Sequence, residues 1–175
     1  MRTDLPTTLD HALDLYADDP DATLLAGGTD LMVEVNFSQL RPSHMIALRR
    51  IEELAFWEDA RIGAGVTYRR MERGPIRALA ELSRTVGSPQ IRNAGTIGGN
   101  LGTCSPAGDV LPFLSALDAE VELASAPSNR RRVPFSEFMV GPKQNSAAPG
   151  EVIVAALLPA DIPERQAFGK IGVRN

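Results

Sequence analysis

The sequence predicts an α+β fold with two lobes, a small α/β lobe over residues 1–54 and a larger lobe over residues 55–175. Up to Leu54, short apolar runs alternate with apolar residues at helical spacing, which is typical of a small α/β unit. From Arg61 onward, apolar strands are separated by helices and turns, which favours an antiparallel sheet with flanking helices.

The elements of the small lobe follow from the spacing of its apolar residues. These recur at helical intervals over residues 8–16, and Thr7 or Thr8 is placed to cap that helix. A strand at residues 22–25, a helix at 30–35 and a strand at 44–48 complete the lobe.

The larger lobe is predicted to contain more strands than helices. Its helices are expected at residues 67–71, 76–86 and 110–117. Its strands are expected at residues 61–65, 120–124, 131–134, 152–158 and 168–173. The fourth of these is the longest apolar run of the chain, and Pro159 ends it.

Two glycine-rich segments are the most informative features of the chain. We call residues 24–31 (LLAGGTDL) the first glycine segment and residues 95–109 (GTIGGNLGTCSPAGD) the second glycine segment. Glycine leaves peptide N–H groups bare, and successive bare N–H groups form a nest for phosphate oxygens. The first segment also joins a predicted strand to a predicted helix, where free N–H groups favour anions. Two such loops predict a ligand with two linked phosphates, a dinucleotide, held between the lobes.

Other phosphate-binding motifs fit the sequence poorly. Gly63 and Gly65 follow a predicted strand, but Tyr68 stands where the Gly-x-Gly-x-x-Gly fingerprint requires its third glycine. Glu81, at about the position of the expected acidic residue, falls in a predicted helix. The chain also contains no Gly-x-x-x-x-Gly-Lys-Ser/Thr stretch, which argues against a P-loop kinase or ATPase.

Composition excludes several classes of function. A net charge of −4 argues against a nucleic-acid partner, which requires a basic surface. The single cysteine excludes an internal disulfide and a cluster held by four thiolates. The longest apolar run is too short to span a bilayer, and the amino terminus has no signal-peptide core. We therefore expect a soluble protein in the reducing cytoplasm.

Three stretches of the chain carry a family resemblance. They are residues 24–31 (LLAGGTDL), 87–109 (GSPQIRNAGTIGGNLGTCSPAGD) and 168–174 (FGKIGVR), and the middle one is highly specific. In this order they resemble the FAD-binding subunit of the molybdenum hydroxylases, the family of the xanthine dehydrogenase and carbon monoxide dehydrogenase flavoproteins. The resemblance covers nearly the whole chain. It implies a two-lobed FAD-binding fold of the vanillyl-alcohol-oxidase-like type.

The resemblance also implies which residues bind FAD. In the family, the first glycine segment and residues 96–100 wrap the cofactor pyrophosphate with backbone amides. Thr103 matches a residue whose hydroxyl contacts the cofactor, and Asp109 matches a carboxylate that binds sugar or ribityl hydroxyls. Ile153 matches an aliphatic residue that lines the flavin site, and Lys170 matches a lysine that contacts the cofactor. The full implied set is Leu24, Leu25, Ala26, Gly27, Gly28, Thr29, Asp30, Leu31, Thr96, Ile97, Gly98, Gly99, Asn100, Thr103, Asp109, Ile153 and Lys170. No catalytic residue and no metal ligand is assigned.

Several positions keep a second interpretation or depart from the family pattern. Asp109 could cap the helix predicted at residues 110–117, bind the ligand, or do both. Lys170, a single lysine on a predicted strand, is equally typical of a solvated charge. Cys104 is interpreted as a small packing residue, because no basic partner is evident beside it. Val86 stands where some members carry an aromatic residue near the flavin, and Ala94 replaces a residue that is often basic.

The activity implied by the resemblance is electron transfer. FAD links one-electron carriers to two-electron acceptors. By resemblance, a molybdopterin-binding large subunit oxidises the substrate, and a [2Fe–2S] small subunit passes electrons to this flavin, which reduces NAD or another acceptor. Two alternatives stay open. A self-contained flavin oxidase of the same fold would reduce its flavin with substrate unaided, and a non-enzymatic nucleotide-binding or assembly module would hold no flavin. Flavin subunits of the family usually continue into a C-terminal domain, which we expect this chain to lack.

Overall fold

The structure is a computed structural model that describes residues 1–37 and 39–171. Its strands are β1 (Arg2–Asp4), β2 (Thr23–Leu25), β3 (His44–Ala47), β4 (Trp57–Glu58), β5 (Arg61–Gly63), β6 (Glu120–Ser125), β7 (Asn129–Pro134), β8 (Met139–Gly141), β9 (Gln144–Asn145) and β10 (Val152–Leu157). Its α-helices are α1 (Leu9–Asp18), α2 (Leu31–Asn36), α3 (Tyr68–Met71), α4 (Arg77–Arg84), α5 (Pro89–Ala94), α6 (Ile97–Thr103), α7 (Val110–Ala116) and α8 (Phe135–Phe138).

The amino-terminal elements form a small parallel sheet with strand order β1-β3-β2. All four residues of β3 are buried, as expected for a central strand between two partners. Thr8 caps α1 by accepting a hydrogen bond from the His11 N–H at 3.3 Å, which confirms the predicted cap. Strand β1 escaped prediction because three residues carry too little pattern to identify a strand.

The larger sheet is antiparallel, with strand order β4-β5-β10-β6-β7. The apolar run around residues 152–158 forms the central strand β10, which pairs with β5 on one side and β6 on the other. On β6, the Glu122 carboxylate is buried between Arg61 at 3.0 Å and Arg130 at 2.7 Å. Burial would raise the pKa of Glu122, but the hydrogen bonds from Arg130 and Arg61 outweigh it and lower that pKa.

Two hydrophobic cores meet at the central strand. Leu13 of α1 and Ile46 of β3 pack in the same cluster as Val152 and Val154 of β10. Helices α4, α6 and α7 pack in a second and larger cluster, to which β10 contributes Ala156. The antiparallel sheet agrees with the expected α+β class, whereas the division into two lobes at Leu54 stays a prediction.

The second glycine segment differs from the predicted loop, because its residues 97–103 form the short helix α6, which directly follows the short helix α5. Ser88 caps α5 by accepting from the Ile91 N–H, and Thr96 caps α6 by accepting from the Gly99 N–H at 3.0 Å. The local propensity of glycine disfavours a helix, but these caps and the burial of Ile97 and Leu101 overcome it.

The strand predicted at residues 168–173 is wrong for residues 168–171, which have no regular secondary structure. The alternation of apolar and polar residues there has no neighbouring strand to pair with in the described sheets. Gly172 and Val173, the end of that predicted strand, lie outside the described residues.

At Gly98, helix α6 packs directly against Ala64, the residue that follows strand β5. A Cβ at this position would lie 2.5 Å from the Cβ of Ala64 and 2.8 Å from its carbonyl oxygen. The Gly98 N–H also donates to that same carbonyl oxygen at 2.9 Å. Any side chain here would therefore push the helix off the sheet and break this hydrogen bond.

We expect the Gly98→Ala variant to lower the free energy of unfolding by about 1–3 kcal/mol through overpacking. Gly102→Ala is the matched control, because a Cβ there would meet only Ile153 Cδ1 at 3.8 Å, an ordinary contact. The control should be neutral or raise stability by roughly 0.5–1 kcal/mol through helix propensity. Urea unfolding of the two variants makes the comparison, and a Gly98→Ala protein as stable as the control would contradict the packing argument.

Candidate functional site

A cleft of about 1250 Å³ opens between the two glycine segments. It is lined by nearly all of the residues expected to bind the cofactor, drawn from the β2–α2 turn, α6, the start of α7 and β10. The expected residues found in its lining are Leu24, Ala26, Gly27, Gly28, Thr29, Asp30, Leu31, Thr96, Gly98, Gly99, Asn100, Thr103, Asp109 and Ile153. Residues far apart in sequence thus share one cavity.

Three expected residues do not line the cleft. Ile97 is fully buried in the larger core, so its side chain supports α6 from behind. Leu25 ends β2 and lies under the turn, where its Cδ1 is 3.1 Å from the place of a Cβ on Gly28. Lys170 stands beside the cleft and donates a hydrogen bond from Nζ to Oδ2 of Asp109 at 2.8 Å.

The first glycine segment presents an unusual run of free donors. No described residue accepts a hydrogen bond from the backbone N–H of Gly27, Gly28, Thr29, Asp30 or Leu31. The turn is half-buried and lines the cleft, and Gly28 has φ of +71°, a conformation that favours glycine. Partly buried backbone N–H groups are normally paired, so five consecutive free donors are suited to bind an anion. We call the N–H groups of residues 27–31 the anion cradle.

The second glycine segment uses its N–H groups differently from the prediction. Those of Ile97 and Gly98 donate to the carbonyl oxygens of Val66 and Ala64 at 3.0 and 2.9 Å. Those of Gly99 and Asn100 donate to Oγ1 and the carbonyl oxygen of Thr96 at 3.0 and 3.1 Å. The expectation of bare N–H groups at residues 97–100 is therefore wrong, because capping and docking of α6 already satisfy them.

The second glycine segment contributes two features to the cleft, the exposed flank of α6 at Gly102 and the side chain of Asn100. Gly102 is exposed, and a Cβ there would meet only Ile153 Cδ1 at 3.8 Å, whereas a Cβ on Gly99 would lie 3.2 Å from Thr96 Oγ1. The Oδ1 atom of Asn100 is buried in the lining and accepts no hydrogen bond from any described residue. An unpaired buried acceptor is costly, which makes Asn100 Oδ1 a candidate partner for a ligand donor.

The two segments touch through their backbones. A Cβ on Gly27 would overlap the carbonyl oxygen of Ala94 and lie 2.9 Å from Cα of Gly95. The hydroxyl of Thr29 lies 3.3 Å from the place of a Cβ on Gly95. This close approach sets the distance between the free N–H groups of the first segment and α6.

The acidic residues before α2 and α7 do not cap these helices, and two carboxylates of the cleft form ion pairs. Asp109 precedes α7 but makes no capping hydrogen bond, and its carboxylate accepts from Lys170 instead. The cap interpretation of Asp109 is therefore wrong. Asp30 likewise makes no side-chain cap on α2. Glu34 on α2 accepts from Lys143 Nζ at 2.7 Å, and this hydrogen bond raises the pKa of Lys143.

Sequence reasoning missed some residues that line the cleft. Among them are Thr67, which precedes α3, and Tyr68, its first residue. Val86, at the position that the family resemblance puts near the flavin, also lines the cleft in the turn before α5. Tyr68 is 4% exposed, and burial together with the charge of Asp109 raises the pKa of its hydroxyl. Local pattern carries little signal for Thr67 and Tyr68, because only tertiary packing brings α3 to the second glycine segment.

Other chemistry finds little support in the structure. Cys104 is fully buried and its Sγ donates to the Leu101 carbonyl at 3.1 Å, in keeping with a packing residue, and burial raises the pKa of the thiol. Within residues 1–37 and 39–171, no group of His, Cys, Asp and Glu side chains could hold a metal ion. None of the described helices is long and apolar enough to cross a membrane.

The sequence is similar to characterised flavin subunits. It is 36% identical over 186 residues to the nicotinate dehydrogenase FAD-subunit of Eubacterium barkeri, covering 97% of this chain and 62% of that protein. It is 33% identical over 162 residues to the xanthine dehydrogenase FAD-binding subunit of Escherichia coli O157:H7, covering 87% of this chain and 55% of that protein. The chain thus spans a little more than half the length of these relatives.

The fold is similar to solved structures of the same kind. Quinoline 2-oxidoreductase from Pseudomonas putida 86 matches with a TM-score of 0.86 at 28% identity, over 92% of this chain and 59% of that one. Carbon monoxide dehydrogenase from Hydrogenophaga pseudoflava matches with a TM-score of 0.86 at 30% identity, over 93% and 60%. The model of the FAD binding domain in molybdopterin dehydrogenase matches residues 2–161. With its glycine-lined cleft and this match over most of its length, the chain belongs to the FAD-binding domain family of the molybdopterin dehydrogenases.

Proposed function

We propose that this chain binds FAD in the cleft between the two glycine segments and serves as the flavin-binding portion of a molybdenum hydroxylase. The observation that carries the proposal is the run of free backbone N–H groups from Gly27 to Leu31. A diphosphate supplies several acceptor oxygens and negative charge in one place, which matches that run of donors. The cleft volume of about 1250 Å³ also leaves room for a ligand of dinucleotide size.

The lining fits the remaining polar groups of FAD. Asn100 Oδ1 is an unpaired acceptor that a ligand hydroxyl or amide can satisfy. Asp109 supplies a charged acceptor held in place by Lys170, and Thr103 supplies a hydroxyl. Ile153 supplies an aliphatic wall for an aromatic ring. We assign to these residues the positioning of the cofactor, with the diphosphate on the first glycine segment.

In this proposal, helix α6 both supports the cleft and contacts the ligand. Because Gly102 is exposed and lacks a side chain, a ligand can lie against that flank of the helix without displacement by a Cβ. Ile97 and Leu25 support the cleft from behind. The N–H of Thr96, next to the cleft, donates to no described residue and adds one donor opposite the first segment.

The proposed activity is electron transfer within a larger assembly. Bound FAD supplies redox chemistry that couples one-electron carriers to a two-electron acceptor. We propose that a molybdopterin-binding large subunit and a [2Fe–2S] small subunit deliver the electrons, and that NAD or another acceptor receives them. Relatives named as FAD subunits of nicotinate and xanthine dehydrogenases support this division of labour. The single cysteine suits a reducing, cytoplasmic setting.

The first experiment is a flavin titration of the purified chain. Bound FAD is expected to appear as visible flavin absorption that remains with the protein through gel filtration. Flavin released by denaturation should be identified as FAD and not FMN, because the free N–H run suits a diphosphate. A chain that stays colourless after incubation with excess FAD would contradict the proposal for this length of chain.

Gly27→Ala tests the contact between the two segments. The added Cβ would overlap the Ala94 carbonyl oxygen, so the segments must separate and the cradle must shift. We expect FAD affinity to fall by about tenfold or more. Gly141→Ala, whose Cβ would meet only Gln144 Oε1 at 3.7 Å, is the control and should bind FAD normally. If flavin fluorescence gives the same FAD affinity for the two variants, the proposal that the first glycine segment binds FAD is contradicted.

Asp109→Asn tests the charged acceptor at the start of α7. Loss of its charge should weaken FAD binding by about tenfold or more, since hydrogen bonds to charged groups contribute about 1.5–3 kcal/mol. Asp118→Asn is the control, because Asp118 is exposed and its φ of +47° also suits asparagine. If isothermal titration gives the same dissociation constant for both variants, Asp109 serves only to pair with Lys170.

A further inference from the structure

Tyr68 is a buried side chain that lines the cleft. It is 4% exposed and belongs to the larger core, where its ring packs with apolar residues of α4 and α6. Its N–H donates to the Gly95 carbonyl oxygen at 3.0 Å, and Thr67 caps α3 by accepting from the Arg70 N–H at 3.2 Å. Backbone and ring are thus both fixed, which leaves the hydroxyl little freedom to move.

The hydroxyl of Tyr68 makes no hydrogen bond to any residue within 1–37 or 39–171, and it is not one of the fully buried polar atoms, so it can be reached from the cleft that the residue lines. A tyrosine ring that is buried while its hydroxyl stays accessible presents one polar atom to whatever fills the cleft. Ser83 is the contrast in this chain. Its fully buried hydroxyl donates to the Leu79 carbonyl oxygen at 2.6 Å, as expected of a structural hydroxyl.

The neighbours of Tyr68 place its side chain between two groups proposed to bind FAD, the anion cradle and Asp109. Its ring atom Cδ2 and the Thr29 hydroxyl both lie 3.3 Å from the place of a Cβ on Gly95, so the ring adjoins the anion cradle. The charge of Asp109 acts on the phenol, but that carboxylate is paired with Lys170 and accepts nothing from Tyr68. Burial and Asp109 raise the pKa of Tyr68, so the phenol stays a neutral donor at physiological pH.

We propose that the Tyr68 hydroxyl is a cofactor-binding donor, which gives its hydrogen bond to an oxygen of bound FAD between the cradle at Thr29 and the carboxylate at Asp109. The acceptor is a phosphate or ribityl oxygen, since these are the acceptors of the chain that joins the diphosphate to the flavin ring. This inference rests on the proposed function, because it names a further contact in the same cleft.

The test compares two variants that each remove one hydroxyl from a buried residue. Tyr68→Phe keeps the ring and its packing, and Ser83→Ala removes a hydroxyl that is paired within α4 and lies outside the cleft. We expect Tyr68→Phe to weaken FAD binding about three- to tenfold while leaving the thermal midpoint of the FAD-free chain unchanged. Ser83→Ala should lower the thermal midpoint and leave FAD affinity unchanged.

The outcomes separate this inference from the proposed function. FAD titration of the unaltered chain comes first, and its failure to bind would overturn both together. If the unaltered chain binds FAD and Tyr68→Phe binds equally well, the inference alone is overturned. It is also overturned if Tyr68→Phe lowers the thermal midpoint of the FAD-free chain as much as Ser83→Ala does, since the hydroxyl then has a partner in the protein. Weaker FAD binding with an unchanged midpoint supports it.

Discussion

The cleft depends on one contact, the approach of Gly27 to the carbonyl oxygen of Ala94. No side chain fits between these two backbones, because a Cβ on Gly27 would overlap that oxygen. The contact joins the β2–α2 turn to the end of α5 and fixes the distance between the free N–H groups of the turn and α6. A side chain at Gly27 would move the β2–α2 turn away from α5, and the anion cradle and the flank of α6 would then no longer line the same cleft.

The two glycine segments have different physical roles although their compositions are similar. In the first, glycine permits a tight turn whose N–H groups find no partner among the described residues, so that donors face the cleft. In the second, the N–H groups are already used to cap and dock α6 against Ala64 and Val66. Glycine there permits close packing of helix on sheet at Gly98 and leaves an open flank at Gly102.

Among the ion pairs at the cleft, two join parts of the chain that are more than sixty residues apart. Lys143 of the β8–β9 turn pairs with Glu34 of α2, and Lys170 near the end of the described chain pairs with Asp109 before α7. Both pairs are partly exposed, so they add little to stability in water. Their effect is to orient carboxylates beside the cleft, where a bound ligand would exclude water and strengthen their interactions.

The sequence by itself determined the α+β class, the apolar core strand at β10 and most of the cleft lining, because these depend on local pattern and on a specific glycine motif. It could not determine that residues 97–103 are helical, since capping by Thr96 and burial of Leu101 outweigh the low helix propensity of glycine only in the folded core. Nor could it place Tyr68 in the cleft. That position depends on α3 packing against the second glycine segment, a contact between distant residues that only the tertiary structure decides.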